Sequence, residues 1–231
     1  MNKRVAIMQP YFFPYIGYFQ LINAVDNFVI YDDVNFIKQG WIARNKILLN
    51  SSEHVISLQL QGASSFKKIN EVEVGRNRSK LIKTIKQAYS KAPFYQKAFP
   101  VIENTLTNPE NNLGSFLNHQ IKELCAYLGI NTELILSSSI EKDNSLKGQE
   151  KVLQICKKLH ATHYVNAAGG KELYSKDDFL QSVISLNFIN SIPFEYKQFG
   201  AEHLPWLSII DVIMFNSAAK IQEFLNNYIM E

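Results

Sequence analysis

Cysteine is scarce in this chain: its 231 residues include two, Cys125 and Cys156. Both lie in apolar, helix-like surroundings. They read as small buried hydrophobes, which argues against a disulfide framework and against a thiol nucleophile. No Cys-x-x-Cys pair or histidine-rich spacing calls for a metal, and no motif calls for another cofactor, so none is expected. No apolar run reaches membrane-spanning length. The N-terminus enters a strand-like run without the apolar stretch and cleavage site of a signal peptide, so a cytoplasmic protein is expected. Net charge is small as well. Lys and Arg number 24 against 21 Asp and Glu, a balance of +3 that argues against nucleic-acid binding through bulk charge. Lys67, Lys68 and the basic residues between Arg76 and Lys91 suit a solvated helix face. Walker loops, GxSxG elbows and zinc-protease signatures are missing too.

Apolar residues, by contrast, make up 46% of the chain, enough for the core of one α/β domain spanning 1–231. Val5–Gln9 is a short apolar run stopped by proline, Tyr15–Ala24 has helical spacing, and Asn27–Tyr31 is a second strand. Together they form a βαβ unit with a right-handed crossover. Extended segments follow at 41–49, 54–60 and 71–74. Three helical stretches, 78–90, 94–105 and 113–128, fall in a helical insertion or subdomain at 77–130, the last stopped by Gly129. The α/β pattern returns with a strand at 132–137, a helix at 149–159, a strand at 163–167 and an extended run at 183–189. One or two helices fill 205–228. The fold class is α/β, Rossmann-like, with a mainly parallel sheet.

Polar and aromatic residues crowd the points where strands stop, and ligands of open α/β sheets bind at such carboxyl ends. The segment Gln9, Pro10, Tyr11, Phe12, Phe13, Pro14, Tyr15, Ile16, Gly17, Tyr18 is the strongest feature. Its prolines and glycine fix a strand-to-helix connection that can aim backbone amides at an anion, and its tyrosines can wall a ring. Gln9, Pro10, Tyr11, Tyr15, Gly17 and Tyr18 are therefore candidate binding residues. Core packing of the aromatics is the alternative. Asp32 and Asp33 end the second strand as candidate general bases or as caps. Gln39, Trp41, Arg44 and Asn45 combine an amide, an indole and a guanidinium fork suited to a phosphate or carboxylate beside a ring. Asn166, Gly169 and Gly170 end the strand at 163–167, with Tyr174 nearby. Gln198, Ser208 and Asp211 flank His203, the best-placed base among the histidines.

Three separated strings, IMQPYFFPYIGYFQLI, then D-x-F-x-I-Y-D-D-V, then G-W-x-x-R-N-K-I, resemble the WbqC-like protein family. VNAAGGKELY, EYKQF and LSIIDVIMFNS are similar to its C-terminal elements. The resemblance implies a bacterial protein of O-antigen or other surface-polysaccharide biosynthesis. It implies a transferase acting on a nucleotide-linked, often amino, sugar, with N-acyl or N-aminoacyl (for example glycyl) transfer as one route. The partners implied are a nucleotide-linked sugar and an activated acyl donor such as an acyl carrier. The opening strand-loop-helix also resembles nucleotidyltransferase-like enzymes, whose H-x-G-H motif is replaced here by Tyr15-Ile16-Gly17-Tyr18. Tyrosine supplies no imidazolium charge to a phosphoryl transition state. Nucleotidyl transfer and a non-catalytic scaffold role are the alternatives.

Overall fold

The structure is a computed structural model describing residues 2–200 and 202–231. The chain opens with β1 (Arg4–Met8), α1 (Ile16–Asn23) and β2 (Asn27–Ile30). A hairpin of β3 (Arg44–Leu49) and β4 (Ser52–Ser57) follows, then a short pair, β5 (Leu60–Gln61) and β6 (Glu73–Val74). Next come three helices: α2 (Arg78–Tyr89), α3 (Tyr95–Thr107) and α4 (Leu113–Leu128). The remainder is β7 (Glu133–Leu136), α5 (Gly148–Lys158), β8 (His163–Ala167), α6 (Lys176–Gln181), β9 (Ser185–Ser191), α7 (Ile209–Phe215), α8 (Ala218–Leu225) and β10 (Tyr228–Met230).

Six strands form one sheet in the order β10-β9-β8-β1-β2-β7. All its neighbours are parallel except β10, which runs antiparallel to β9. The chain grows from β1 to β2 and β7 on one side, then returns to β1's other flank with β8. That reversal is a topological switch point at the carboxyl ends of β1 and β8, the edge of the sheet where open α/β folds bind ligands. β1 is covered on both faces. Val5, Ala6 and Ile7 are all buried, which is why it reads as a continuous apolar run rather than an alternating one.

α1 is apolar all round and is enclosed accordingly, with every residue from Ile16 to Ile22 buried. Its buried Gln20 donates through Nε2 to the carbonyls of Phe224 (2.7 Å) and Asn227 (3.1 Å), tying it to the end of α8. On this side of the sheet one continuous core joins α1 with residues of α2, α3, α4, α7 and α8. The other face carries a smaller core under α5 and α6, built on Val5, Ile7, Val29, Ile155, Tyr164 and Phe179.

Several boundaries differ from the sequence reading. The strand expected from Trp41 begins at Arg44, because 39–43 turns about Gln39, whose φ is 61°. The strand expected from His54 begins at Ser52, since Asn50 (φ 52°) and Ser51 (φ 58°) make a tight hairpin turn. The C-terminal helical reading ends too late. α8 stops at Leu225, and Tyr228–Met230 pairs with β9 as an edge strand. Gly129 stops α4 with φ 70°, as expected.

Candidate functional site

The loop between β1 and α1 is held from three sides. From the β2–β3 connection, the Phe12 amide donates to the Trp41 carbonyl (3.0 Å). Asn45 Nδ2 donates to the carbonyls of Phe12 (3.1 Å) and Phe13 (2.8 Å). From the start of α7, Ser208 Oγ donates to the Phe13 carbonyl (2.7 Å) and the Ile209 amide to the Pro14 carbonyl (2.8 Å). From α4, Gln120 Nε2 donates to the Tyr11 carbonyl (3.0 Å). Three segments far apart in sequence thus satisfy one loop's backbone. They hold Phe13 at φ 42°, a conformation that costs a non-glycine residue about 1–3 kcal/mol. Gln39 (φ 61°) and Trp206 (φ 60°) are strained in the same sense nearby. Such strain gathers at functional sites.

Two cavities adjoin this loop. One, about 220 Å³, is lined by Tyr11, Pro14, Tyr15, Trp41, Asn45 and Trp206. The other, smaller at about 40 Å³, is lined by Tyr15, Ile16, Ser191, Ile192, Pro193, Phe194, Tyr196, His203, Pro205, Trp206, Leu207 and Val212. Tyr15 and Trp206 belong to both and meet edge to face, ring centroids 6.2 Å apart, as a shared wall. Gly17 makes that wall possible: a Cβ there would lie 2.3 Å from the Tyr15 ring. Both cavities lie beyond strand carboxyl ends, the first after β1, the second after β9. Burial raises the proton affinity of the Tyr11 and Tyr15 hydroxyls, with Tyr15 adding to the effect on Tyr11, so both remain neutral. A larger, more polar hollow of about 580 Å³ is lined by Arg76, Arg78 and Thr107, and none of the candidate residues borders it.

Among the described residues, two candidate side chains near these cavities each hold a buried polar atom with no hydrogen-bond partner. Arg44 stacks over Trp41, 5.7 Å from the ring centre, and donates to the Gln39 carbonyl, yet its Nε is unused. His203 packs on Tyr196, ring centroids 4.8 Å apart, with Nε2 unused. One therefore adjoins the first cavity through Trp41, and the other lines the second.

Other candidate residues serve the fold. Tyr18 lies in the core against Phe28, its hydroxyl donating to the Gln9 carbonyl (3.1 Å), and lines neither cavity. Pro10 is buried as well. Asp32 accepts from the Ser138 amide (2.9 Å), the Ser138 hydroxyl (2.6 Å) and Asn70 Nδ2 (3.2 Å), a saturated joint between β2 and the turn after β7. Asp33 Oδ2 meets Lys142 Nζ at 2.9 Å and Lys151 Nζ at 3.2 Å, all three side chains being almost fully buried. Burial alone would raise the Asp33 proton affinity. The Ser137 hydroxyl, Lys142 and the two ammonium charges outweigh it and hold the carboxyl below its usual range. Asp33 is thus an ion-pair anchor, and neither aspartate borders the two cavities.

Asp211 is fully buried and accepts from Tyr89 (2.8 Å), Tyr196 (2.7 Å) and Gln198 (2.7 Å). Burial raises its proton affinity, partly offset by those donors and by His203. Gln198 also closes the 198–204 loop by accepting from the Leu204 amide (2.8 Å), and Ser208 caps α7. Together they fix the segment bearing His203 and Trp206. Asn166 and Tyr174 lie elsewhere. Asn166 accepts from the Ala167 amide (2.8 Å), and a Cβ at Gly170 would lie 2.7 Å from its Nδ2, whereas Gly169 faces open space. Tyr174 packs on Tyr164 and Phe179 in the smaller core. The structure thus brings together Tyr11, Tyr15, Trp41, Arg44, Asn45 and His203, with Gly17 in support. Sequence reasoning missed Trp206, although the chain's only two tryptophans line one cavity and their rarity was a usable signal.

Among the described residues, no group of His, Cys, Asp and Glu is placed to hold a metal, and no helix is long and apolar enough to cross a membrane. No solved structure matches the chain. A Mycobacterium tuberculosis protein, "Uncharacterized protein Rv1507c", is 28% identical over 228 residues, which is 96% of this chain and 97% of that protein. The family model of the WbqC-like protein family matches residues 9–223, from the loop that walls both cavities to the last helix. The chain belongs to the WbqC-like protein family.

Proposed function

We propose that the protein is a cytoplasmic transferase of bacterial O-antigen or other surface-polysaccharide biosynthesis. In this reading it acts on a nucleotide-linked amino sugar, by N-acyl or N-aminoacyl transfer. The observation that carries the reading is the pair of adjoining cavities with an unused polar atom beside each. Such an arrangement suits two reactants held side by side, their reacting ends meeting past the edge of the shared wall. Counting its six strands in chain order, the sheet runs 6-5-4-1-2-3, the order of Rossmann-like nucleotide folds, with both cavities on the expected edge. The aromatic cavity suits a sugar or base ring. Arg44, stacked on Trp41, suits an anionic group, as do the first amides of α1, which has no side-chain cap.

His203 is the base this geometry favours, because it alone of the three candidate bases lines either cavity. The sugar amine attacks the acyl carbonyl carbon, the C–N bond forms, and the bond to the leaving group breaks. The proton lost by the amine passes through His203 to that leaving group. Tyr18 weighs against nucleotidyl transfer: the position of the second H-x-G-H imidazole is occupied here by a buried core residue.

Thermal-shift titration with nucleotide-linked amino sugars tests the reading, since a ligand binding only the native state raises its melting temperature. Arg44→Ala should weaken binding about tenfold or more, the scale of one lost charge-assisted hydrogen bond. His203→Ala should bind and not turn over. A shift with nucleoside triphosphate and magnesium alone would favour nucleotidyl transfer. Binding without turnover of any acyl donor would favour a scaffold.

A further inference from the structure

The cavity bordered by His203 is mostly hydrocarbon. Ile16, Ile192, Phe194, Leu207 and Val212 line it, and no acidic side chain does. The buried carboxylate beside His203, Asp211, already accepts from three donors. Glu195 and Glu202 open onto a separate hollow on the far side of Tyr196 and His203. A cation entering here would give up its water without forming a direct ion pair, because the Asp211 carboxylate lies behind Tyr196 with its oxygens taken by three donors, and that is unfavourable. A neutral apolar group would lose nothing comparable. For one polar atom on that group, His203 is the lining side chain at hand, its Nε2 having no partner among the described residues.

We infer that this cavity receives the transferred group, and that the group is a short uncharged acyl chain rather than an aminoacyl group bearing an ammonium. The inference rests on the acyl-transfer reading and narrows it. With an acyl thioester as donor, the sugar amine nitrogen supplies the electron pair of the new C–N bond. The C–S bond breaks and its electron pair leaves on sulfur. The amine proton, carried by His203, ends on the thiol. The products are an amide and a free thiol.

The test uses n-butyryl-pantetheine and glycyl-pantetheine, read by tryptophan emission in a Trp41→Phe variant, where Trp206 on the cavity wall is the one remaining tryptophan. The butyryl probe should bind at least tenfold tighter. Ile192→Asp, at a lining position 37% exposed and so tolerant of charge, should supply a direct ion-pair partner and shift the preference tenfold or more toward the glycyl probe. Equal affinities, or a glycyl preference in the parent, would overturn the inference and leave acyl transfer standing. No response to either probe would overturn both.

Discussion

Asp33→Asn should cost far more stability than removing one of the lysines that Asp33 binds. Two ammonium groups share a single carboxylate oxygen, at 2.9 and 3.2 Å, with side-chain exposures of 2%, 6% and 5% for Lys142, Lys151 and Asp33. Replacing the aspartate leaves two like charges buried together without a counter-ion. Breaking one buried pair by removing a partner costs about 3–5 kcal/mol. At about 2–4 °C per kcal/mol for a chain of this size, the melting temperature should fall by roughly 6–20 °C. Lys151→Met restores a one-to-one pair and forfeits a hydrogen bond to the Asp33 carbonyl (3.4 Å) and a contact over the Tyr31 ring at 5.5 Å, so about 1–2 kcal/mol is expected. Lys151 is the informative choice because Lys142 also donates to the Ser137 and Ile140 carbonyls. Urea unfolding followed by circular dichroism measures both. The pH dependence has a fixed sign. The folded carboxyl lies below its unfolded value, so its contribution is full above about pH 4 and is lost as pH falls further through the folded pKa. The gap between the parent and Asp33→Asn should therefore be constant at neutral pH and close only in acid. A loss of under 1 kcal/mol for Asp33→Asn, or equal losses for the two variants, would refute the shared-carboxylate reasoning.

Gly17→Ala should leave the fold intact while displacing the Tyr15 ring, seen as changed Trp206 emission and at least tenfold weaker ligand binding, because the new methyl would sit 2.3 Å from that ring. Asn45→Ala should lower stability by about 2–3 kcal/mol in urea unfolding, since it removes the buried donor to two carbonyls of a strained loop. Asp211→Asn should cost about 1–3 kcal/mol by leaving one tyrosine hydroxyl without its acceptor. Cys125 and Cys156, buried and with thiols pushed up to about 12, should resist iodoacetamide in the folded protein at pH 8 and react on unfolding.

The sheet was largely legible because each strand is a short apolar run and each helix has a clear period or stop. The first βαβ unit and Gly129 are examples. The edge strand at Tyr228–Met230 was not. Three residues carry no period, and their pairing with β9 is a tertiary effect. The loop after β1 announced itself through its prolines and aromatics, but composition does not say which rings face inward. Tyr18 lies three residues beyond Tyr15, yet it packs on Phe28 while Tyr15 walls the cavities. Asp32 and Asp33 looked like candidate bases, and Asp211 like a binding residue, because their partners (Ser138, Lys142 and Lys151, Tyr89 and Tyr196) come from distant segments. Trp206 owes its place to a loop closed by Gln198 and to a φ of 60°, neither of which leaves a local signature.

The central claim is that the cavities flanking the Tyr15–Trp206 wall form a ligand site, and intrinsic fluorescence reads it directly because both tryptophans border it. Titrating a nucleotide-linked amino sugar into Trp41→Phe and Trp206→Phe should give a saturable emission change in each, weakened together by Arg44→Ala. A ligand that raises the melting temperature yet leaves both single-tryptophan variants unchanged would contradict the account.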